Sequence, residues 1–402
     1  MLQTALRSYR DVLRLPGYPL ISGLALLVRL PLFAVGVALA LHAVNVLGAS
    51  WAQAGLLTTA TTVTGAITSP LRGRLLDRIG LRRTVAPCLL VTGICWCVGP
   101  FLPYVGLLVA CTVAGLFTMP IWSIIRQAIL AITAPQERQA ALSLDSALAE
   151  VAFMGGPLLG IWAATSWPPR WSLTILGLLG VVAGVGFIVA NVPLVAADHE
   201  ATESVSRRQW FTPGFAVILA ASAAASMVLT GTDVGIVATL RDWGRTADAG
   251  WVMAVWGFGS LLGGLVYGGL ARGWRLLTLL ALLSIVTIPA SFAVGPLSLA
   301  ILVTVAGLLC APCITSASTA VAESVSPSAM GEAMGWHGSA MTVGAAIGAP
   351  FAGFVMDHAG AHWGFAAVGS VGLLVAVVGT LAVGLRRRQR DVRPEAATVT
   401  SR

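Results

Sequence analysis

A few ionisable side chains stand inside long apolar runs of this chain, where a charge is costly and seldom kept without a role. A carboxylate enclosed by apolar side chains can take up and release a proton as its surroundings change. Glu150, two to three helical turns into its run, is the leading candidate for such a carrier. Asp145 lies nearer the start of the same run and is expected to be structural. Asp233, within Gly231-Thr232-Asp233-Val234-Gly235, is placed to bind a proton or a substrate, or to face water at a mouth. His337 lies about a turn beyond Glu332 and carries the side chain whose ordinary range spans neutrality. Arg126, in Ile125-Arg126-Gln127-Ala128, has Asp77, Asp145 or Glu150 as candidate partners, with a structural ion pair as the plain alternative. Arg29 is expected to snorkel toward the nearer water boundary. Trp122, Trp256 and Trp336 also fall inside apolar runs and are candidates for lining an apolar cavity.

Runs of this kind must be positioned by something other than a soluble core. Of 402 residues, 57% are apolar and 10% are charged, and the mean hydropathy is +0.88. An ordinary soluble domain carries roughly 25% charged residues. So few polar groups cannot cover a soluble surface, and lipid is the natural solvent. In lipid the backbone must satisfy itself, and alternating barrel strands are missing from the pattern, so the runs are read as helices. They fall near 20–46, 51–71, 84–102, 104–132, 141–166, 171–195, 214–240, 248–271, 275–294, 297–322, 331–356 and 363–385, numbered below as spans 1 to 12.

The basic residues give these spans a direction. All 24 are arginine, a usage expected of a GC-rich genome. The N-terminal segment, Gly73 to Arg83, Arg138, Arg207 with Arg208, Arg272 with Arg275, and the tail from Arg386 fall on one side. The opposite loops hold only Arg170, Arg241 and Arg245, the last two balanced by Asp242 and Asp248. By the positive-inside rule both termini are expected in the cytoplasm. The same distribution argues against nucleic acid as a partner. The first run is too long for the apolar stretch of a signal peptide, so none is expected.

The spans also repeat. Gly115-Leu116 with Pro120 and Pro135 recurs as Gly307-Leu308 with Pro312 and Pro327. Gly73-Arg74-Leu75 after span 2 answers Gly268-Gly269-Leu270 after span 8. Two parallel six-span halves follow: a first bundle over 1–195, a polar linker over 196–213, a second bundle over 214–385, and a disordered basic tail over 386–402. Cys310-Ala-Pro-Cys313 spells a redox spacing but lies in an apolar run, and is expected to be a buried pair of small side chains.

Between spans 2 and 3 lies GRLLDRIGLRR, a short basic segment in a chain nearly free of charge. It resembles the G-x-x-x-D-R-x-G-x-R-R signature of the major facilitator superfamily, with Gly73, Asp77, Arg78, Gly80, Arg82 and Arg83 at the matching positions. The resemblance covers essentially the whole chain. It implies an all-α membrane fold of twelve transmembrane helices in two pseudo-symmetric six-helix bundles. It further implies that Asp77 meets the start of span 11 and that this contact breaks as the protein opens toward the cytoplasm. In span 5, Gly155, Gly156, Pro157 and Gly160 resemble a motif of the superfamily's antiporters, with Ala152 where the first glycine would stand. In those proteins the motif is thought to seal the two halves at the outer side; generic helix packing is the plain alternative. The arginine many antiporters carry in the outer part of span 4 is not evident, since Cys111 and Thr112 fall about there.

The resemblance is nearest to bacterial drug:proton antiporters. It implies alternating access around a site at mid-depth, with a small molecule and protons as partners, the bacterial inner membrane as location, and a monomer as working unit. Uptake of a small metabolite is the first alternative, but few Asn, Gln or paired Arg residues line the spans to bind a polar solute. A membrane-embedded enzyme is the second. The five histidines are scattered without metal-binding spacing, and without lysine no Walker loop can form. No cofactor is expected.

Overall fold

A computed structural model describes residues 9–194, 207–270 and 273–398. Ten of its helices are long and apolar enough to cross a membrane. One of these, Gln53–Phe101, carries two spans, and the shorter Leu276–Phe292 supplies a further one, which completes twelve crossings. Spans 1, 5 and 6 are Tyr18–Asn45, Arg138–Ser166 and Pro169–Ala190. Spans 7, 8, 10 and 11 are Pro213–Asp242, Ala249–Gly268, Pro296–Ser324 and Met330–Ala359.

Three segments depart from the expected boundaries. The basic segment Gly73–Arg83 is helical on both sides of one break, not a loop. Span 2 runs straight into it, and the chain reverses at Gly80, with φ 79° and ψ 178°. That region of backbone space is essentially restricted to glycine, so a single residue does the work expected of a whole loop. Span 4 is broken. It consists of Tyr104–Leu116 and Ile121–Ile132, with Phe117 to Pro120 between them. Pro120 has no N–H to continue the ladder. The matching Pro312 sits inside an unbroken span 10. Finally, the last helix continues to Thr398, so the backbone over 386–398 is helical where disorder was expected. Arginine and glutamine propagate an existing helix readily. Most of the 196–213 linker lies outside the described residues.

The broken span 4 leaves carbonyls that lipid cannot satisfy. Span 2 supplies the donors from one face. Thr64 Oγ1 donates to Thr112 O at 3.2 Å, and Thr68 Oγ1 to Leu116 O at 3.3 Å. One turn further, the Arg72 guanidinium donates to Gly115 O at 3.2 Å, Leu116 O at 3.0 Å and its own helix's Gly65 O at 2.8 Å. Arg72 is buried.

The apolar cores say how the halves meet. At the face that carries the chain termini, one core cluster runs through both halves, from Tyr18, Leu76, Ile125 and Leu142 to Phe215, Val321, Met330 and Met334. Toward the opposite face the clusters separate: one holds only first-half residues such as Ala38, Leu57 and Leu173, and others hold only second-half residues. The halves are joined at the terminal face and part toward the far face.

Candidate functional site

At mid-depth, span 5 meets span 8. Glu150 Oε1 accepts a hydrogen bond of 2.8 Å from the Ser260 hydroxyl, which links the two halves. Asp233 of span 7 is near enough for its charge and that of Glu150 to act on one another. Its Oδ1 is buried and has no hydrogen-bond donor. The Cys310 thiol of span 10 lies within the field of both carboxylates and beside Trp256, whose indole N–H closes no full hydrogen bond. Two carboxylates from different halves, one with an unfilled oxygen, thus share an otherwise apolar setting. Bringing two like charges together out of water is unfavourable, and a proton or a bound cation between them relieves it.

Asp145 belongs to a different group. Arg29 is fully buried rather than snorkelling, and its two terminal nitrogens grip Asp145 Oδ1 and Oδ2 at 2.6 and 3.0 Å. The same guanidinium stands 4.5 Å from the Trp122 ring centroid, and Arg126 stands 5.8 Å from it. No ion pair joins Arg126 to Asp77, Asp145 or Glu150 among the described residues; Asp145 is held by Arg29, whose span 1 packs directly on span 5.

His337 is fully buried between two hydroxyls, with Nδ1 3.0 Å from Ser222 Oγ and Nε2 3.5 Å from Ser318 Oγ. It ties span 11 to spans 7 and 10 within the second half. Trp256 is packed in the second-half core, and Trp336 stacks edge-on with Phe211 at 5.5 Å. Neither lines the apolar cavity among spans 1, 2, 3, 4 and 6, and nor does Trp122; Trp96 does.

At the terminal face, Asp77 receives the first N–H groups of span 11. Gly331 N donates to Oδ1 at 2.7 Å and Glu332 N to Oδ2 at 2.9 Å, with Gln127 Nε2 at 3.4 Å. Those amides carry the positive end of the helix dipole, and a carboxylate satisfies them. Arg74 pairs with Glu332 at 3.7 Å. Gly73 lies directly against the Gly331 backbone, so any side chain there would collide with it. Its repeat counterpart Gly268 lies equally tightly against Ser143 of span 5. Of the glycines that mark the repeat, Gly73 and Gly268 are points where the halves touch, once between spans 2 and 11 and once between spans 8 and 5. Further hydrogen bonds across the halves join Tyr9 to Leu265, Gln139 to Tyr267, Ser146 to Thr315, and Ser339 to Ala66. All lie between mid-depth and the terminal face.

Gly156 and Gly160 of the antiporter-like segment pack against Phe33 and Ala34 of span 1, and Gly155 faces Leu30. These contacts lie inside the first half, and the neighbouring Met154 reaches span 8 at Gly257. Pro157 stays within the helix. On the far face Arg245 pairs with Asp248 at 2.7 Å, and hydrogen bonds from Trp251 and then Arg245 hold the Asp248 carboxyl below its usual range.

Two six-span helical halves, joined at one face and parted toward the other, are the architecture of a membrane transporter. The chain belongs to the major facilitator superfamily: that family's profile, Major Facilitator Superfamily, matches residues 21–298 and 218–401. No curated protein matches the chain. Among solved structures, the human organic anion transporter MFSD10 (TETRAN) is 16% identical, covering 90% of this chain and 100% of its own, with a TM-score of 0.68. FucP in the outward conformation is 14% identical over 92% of this chain and 99% of its own, with a TM-score of 0.71. A bacterial homologue of the iron transporter ferroportin, in an outward-facing state, is 15% identical over 90% and 97%, with a TM-score of 0.72. At such identities the likeness is one of fold. By family the chain is a membrane transporter and not an enzyme.

Ser260, Arg72 and the partner of Arg29 escaped the sequence. The first is a lone serine in a glycine-rich run and gives no signal. The stripe Thr64, Thr68, Arg72, at every fourth residue of span 2, was a usable one.

Proposed function

We propose that this chain exports small apolar or cationic compounds in exchange for protons, as a monomer in a bacterial inner membrane with both termini in the cytoplasm. On that orientation the terminal face is cytoplasmic, and the structure is outward-facing. The observation that carries the reading is the Glu150–Ser260 bond across the halves beside Asp233 with its unfilled oxygen. A proton arriving from outside neutralises Glu150 and removes the charge that strengthens this bond. The hold between spans 5 and 8 weakens, the Asp77 contact with span 11 releases, and the cytoplasmic face opens. Proton release inside, followed by capture of a cationic or apolar compound between the carboxylates, restores the bond and returns the site to the outside. Proton and compound thus favour different states, which is what coupling requires.

The test uses inside-out vesicles with an acidified interior and a pH-sensitive dye. Adding lipophilic cations is expected to release protons in the wild type and not in Glu150→Gln. Release that survives Glu150→Gln and disappears in Asp233→Asn moves the carrier to span 7. Absence of release with every compound overturns export and favours the uptake alternative; one structural neighbour, the E. coli FucP, is a fucose:proton symporter.

A further inference from the structure

The first half carries a half-open cavity of about 210 Å³, set among spans 1, 2, 3, 4 and 6 beside the break in span 4, with the exposed Leu32, Thr58 and Thr62 at its rim. It is apart from Glu150, Asp233 and every other charged side chain, none of which lines it. Leu39, Trp96, Met119 and Leu176 form much of its wall. Five threonines also line it, and four of them donate their hydroxyls to backbone: Thr61 to Leu57 O at 3.1 Å, Thr62 to Thr58 O at 2.8 Å, Thr92 to Phe117 O at 3.2 Å and Thr118 to Ala114 O at 2.9 Å. The cavity therefore offers van der Waals surface and a few hydroxyl lone pairs, with nothing to neutralise a charge.

Two glycines keep it open. A side chain on Gly36 would meet nothing within 4 Å, and one on Gly180 would come no nearer than 3.9 Å to Pro31. Both positions have room that a leucine would fill. The other glycine of the wall, Gly177, is packed against Trp96 and has none.

We infer that this cavity is a binding site for an uncharged, compact apolar molecule, aromatic or alicyclic, of about ten heavy atoms. An apolar cavity of roughly 150 Å³ takes up benzene, and the larger, half-open volume here suits a fused pair of rings. The inference stands apart from the proton-coupled reading: it concerns a second, neutral site and does not use the carboxylates.

The experiment takes the purified protein in phosphatidylcholine nanodiscs and photolabels it with 3-phenyl-3-(trifluoromethyl)diazirine. Naphthalene and a naphthylmethyl-trimethylammonium salt serve as competitors. Saturable labelling is expected on the peptides holding Trp96 and Met119, blocked by naphthalene and untouched by the cation. It is expected to persist in Glu150→Gln and to be lost in Gly36→Leu and in Gly180→Leu, each judged only if it elutes as a single species. Should neither leucine variant do so, Gly36→Ala, which adds one methyl group into open space, is expected to weaken labelling. Labelling that never saturates, or that survives filling of the cavity, overturns the site. So does a co-purifying lipid whose acyl chain naphthalene cannot displace, which would make the cavity a lipid seat instead.

Discussion

Arg29 and Asp145 form a buried, doubly hydrogen-bonded pair, and such pairs are most sensitive to loss of one member. Asp145→Ala leaves a guanidinium in the core without its carboxylate and is expected to destabilise the protein by about 3–5 kcal/mol. Replacing both residues with apolar ones of similar volume is expected to recover most of that loss. Thermal unfolding of the three proteins in detergent checks it; equal losses in single and double variants would contradict it. Gly80 poses a backbone question. Gly80→Ala meets no neighbour, yet is forced into a region alanine avoids, and should lose about 1–3 kcal/mol by the same measurement. The roles of these residues were unevenly legible. Asp77 was readable because the signature fixes its place relative to Gly73 and because a carboxylate suits a helix start. Arg29 was misread because an arginine within a span can either snorkel or pair, and only the packing of span 1 on span 5 decides between them.

Span 4 was expected to be continuous, and nothing local excluded that, since Pro312 sits in an unbroken helix with the same glycine and proline spacing. The difference lies on another element: span 2 presents Thr64, Thr68 and Arg72 to the freed carbonyls. Such long-range compensation leaves only a faint trace in sequence, a polar stripe on an apolar helix. Arg72→Lys keeps the charge but cannot fork to three carbonyls. It is expected to cost about 2 kcal/mol of stability and to raise the reactivity of a cysteine placed at Thr118 toward a water-soluble maleimide. Unchanged reactivity would mean that the break holds without the clamp. Five residues beyond Arg72, Asp77→Asn retains one acceptor but loses the charge opposite the first amides of span 11, worth about 1 kcal/mol. That variant should populate the state open at the terminal face, seen as faster alkylation of a cysteine at Ser69. An unchanged rate would show that the contact does not hold that face closed.

For the whole molecule, the number of spans, the two halves and their pairing were legible because lipid imposes a long apolar run on every crossing, and because the repeat shares its glycines between halves. The site was less so: a carboxylate in an apolar run announces itself, but its partner across the interface does not. The central claim is that the charge on Glu150 holds the halves together at the terminal face. Its most direct test is the distance between spin labels at Ile79 and Ser324, which are exposed on opposite halves near that face. The labels would be placed in a background with the exposed Cys97 replaced by alanine. Lowering the pH should lengthen the distance in the wild type, because protonation removes the charge, and Glu150→Gln should show the long distance at every pH. A distance that ignores pH, or a Glu150→Gln protein that responds to pH as the wild type does, would contradict the account.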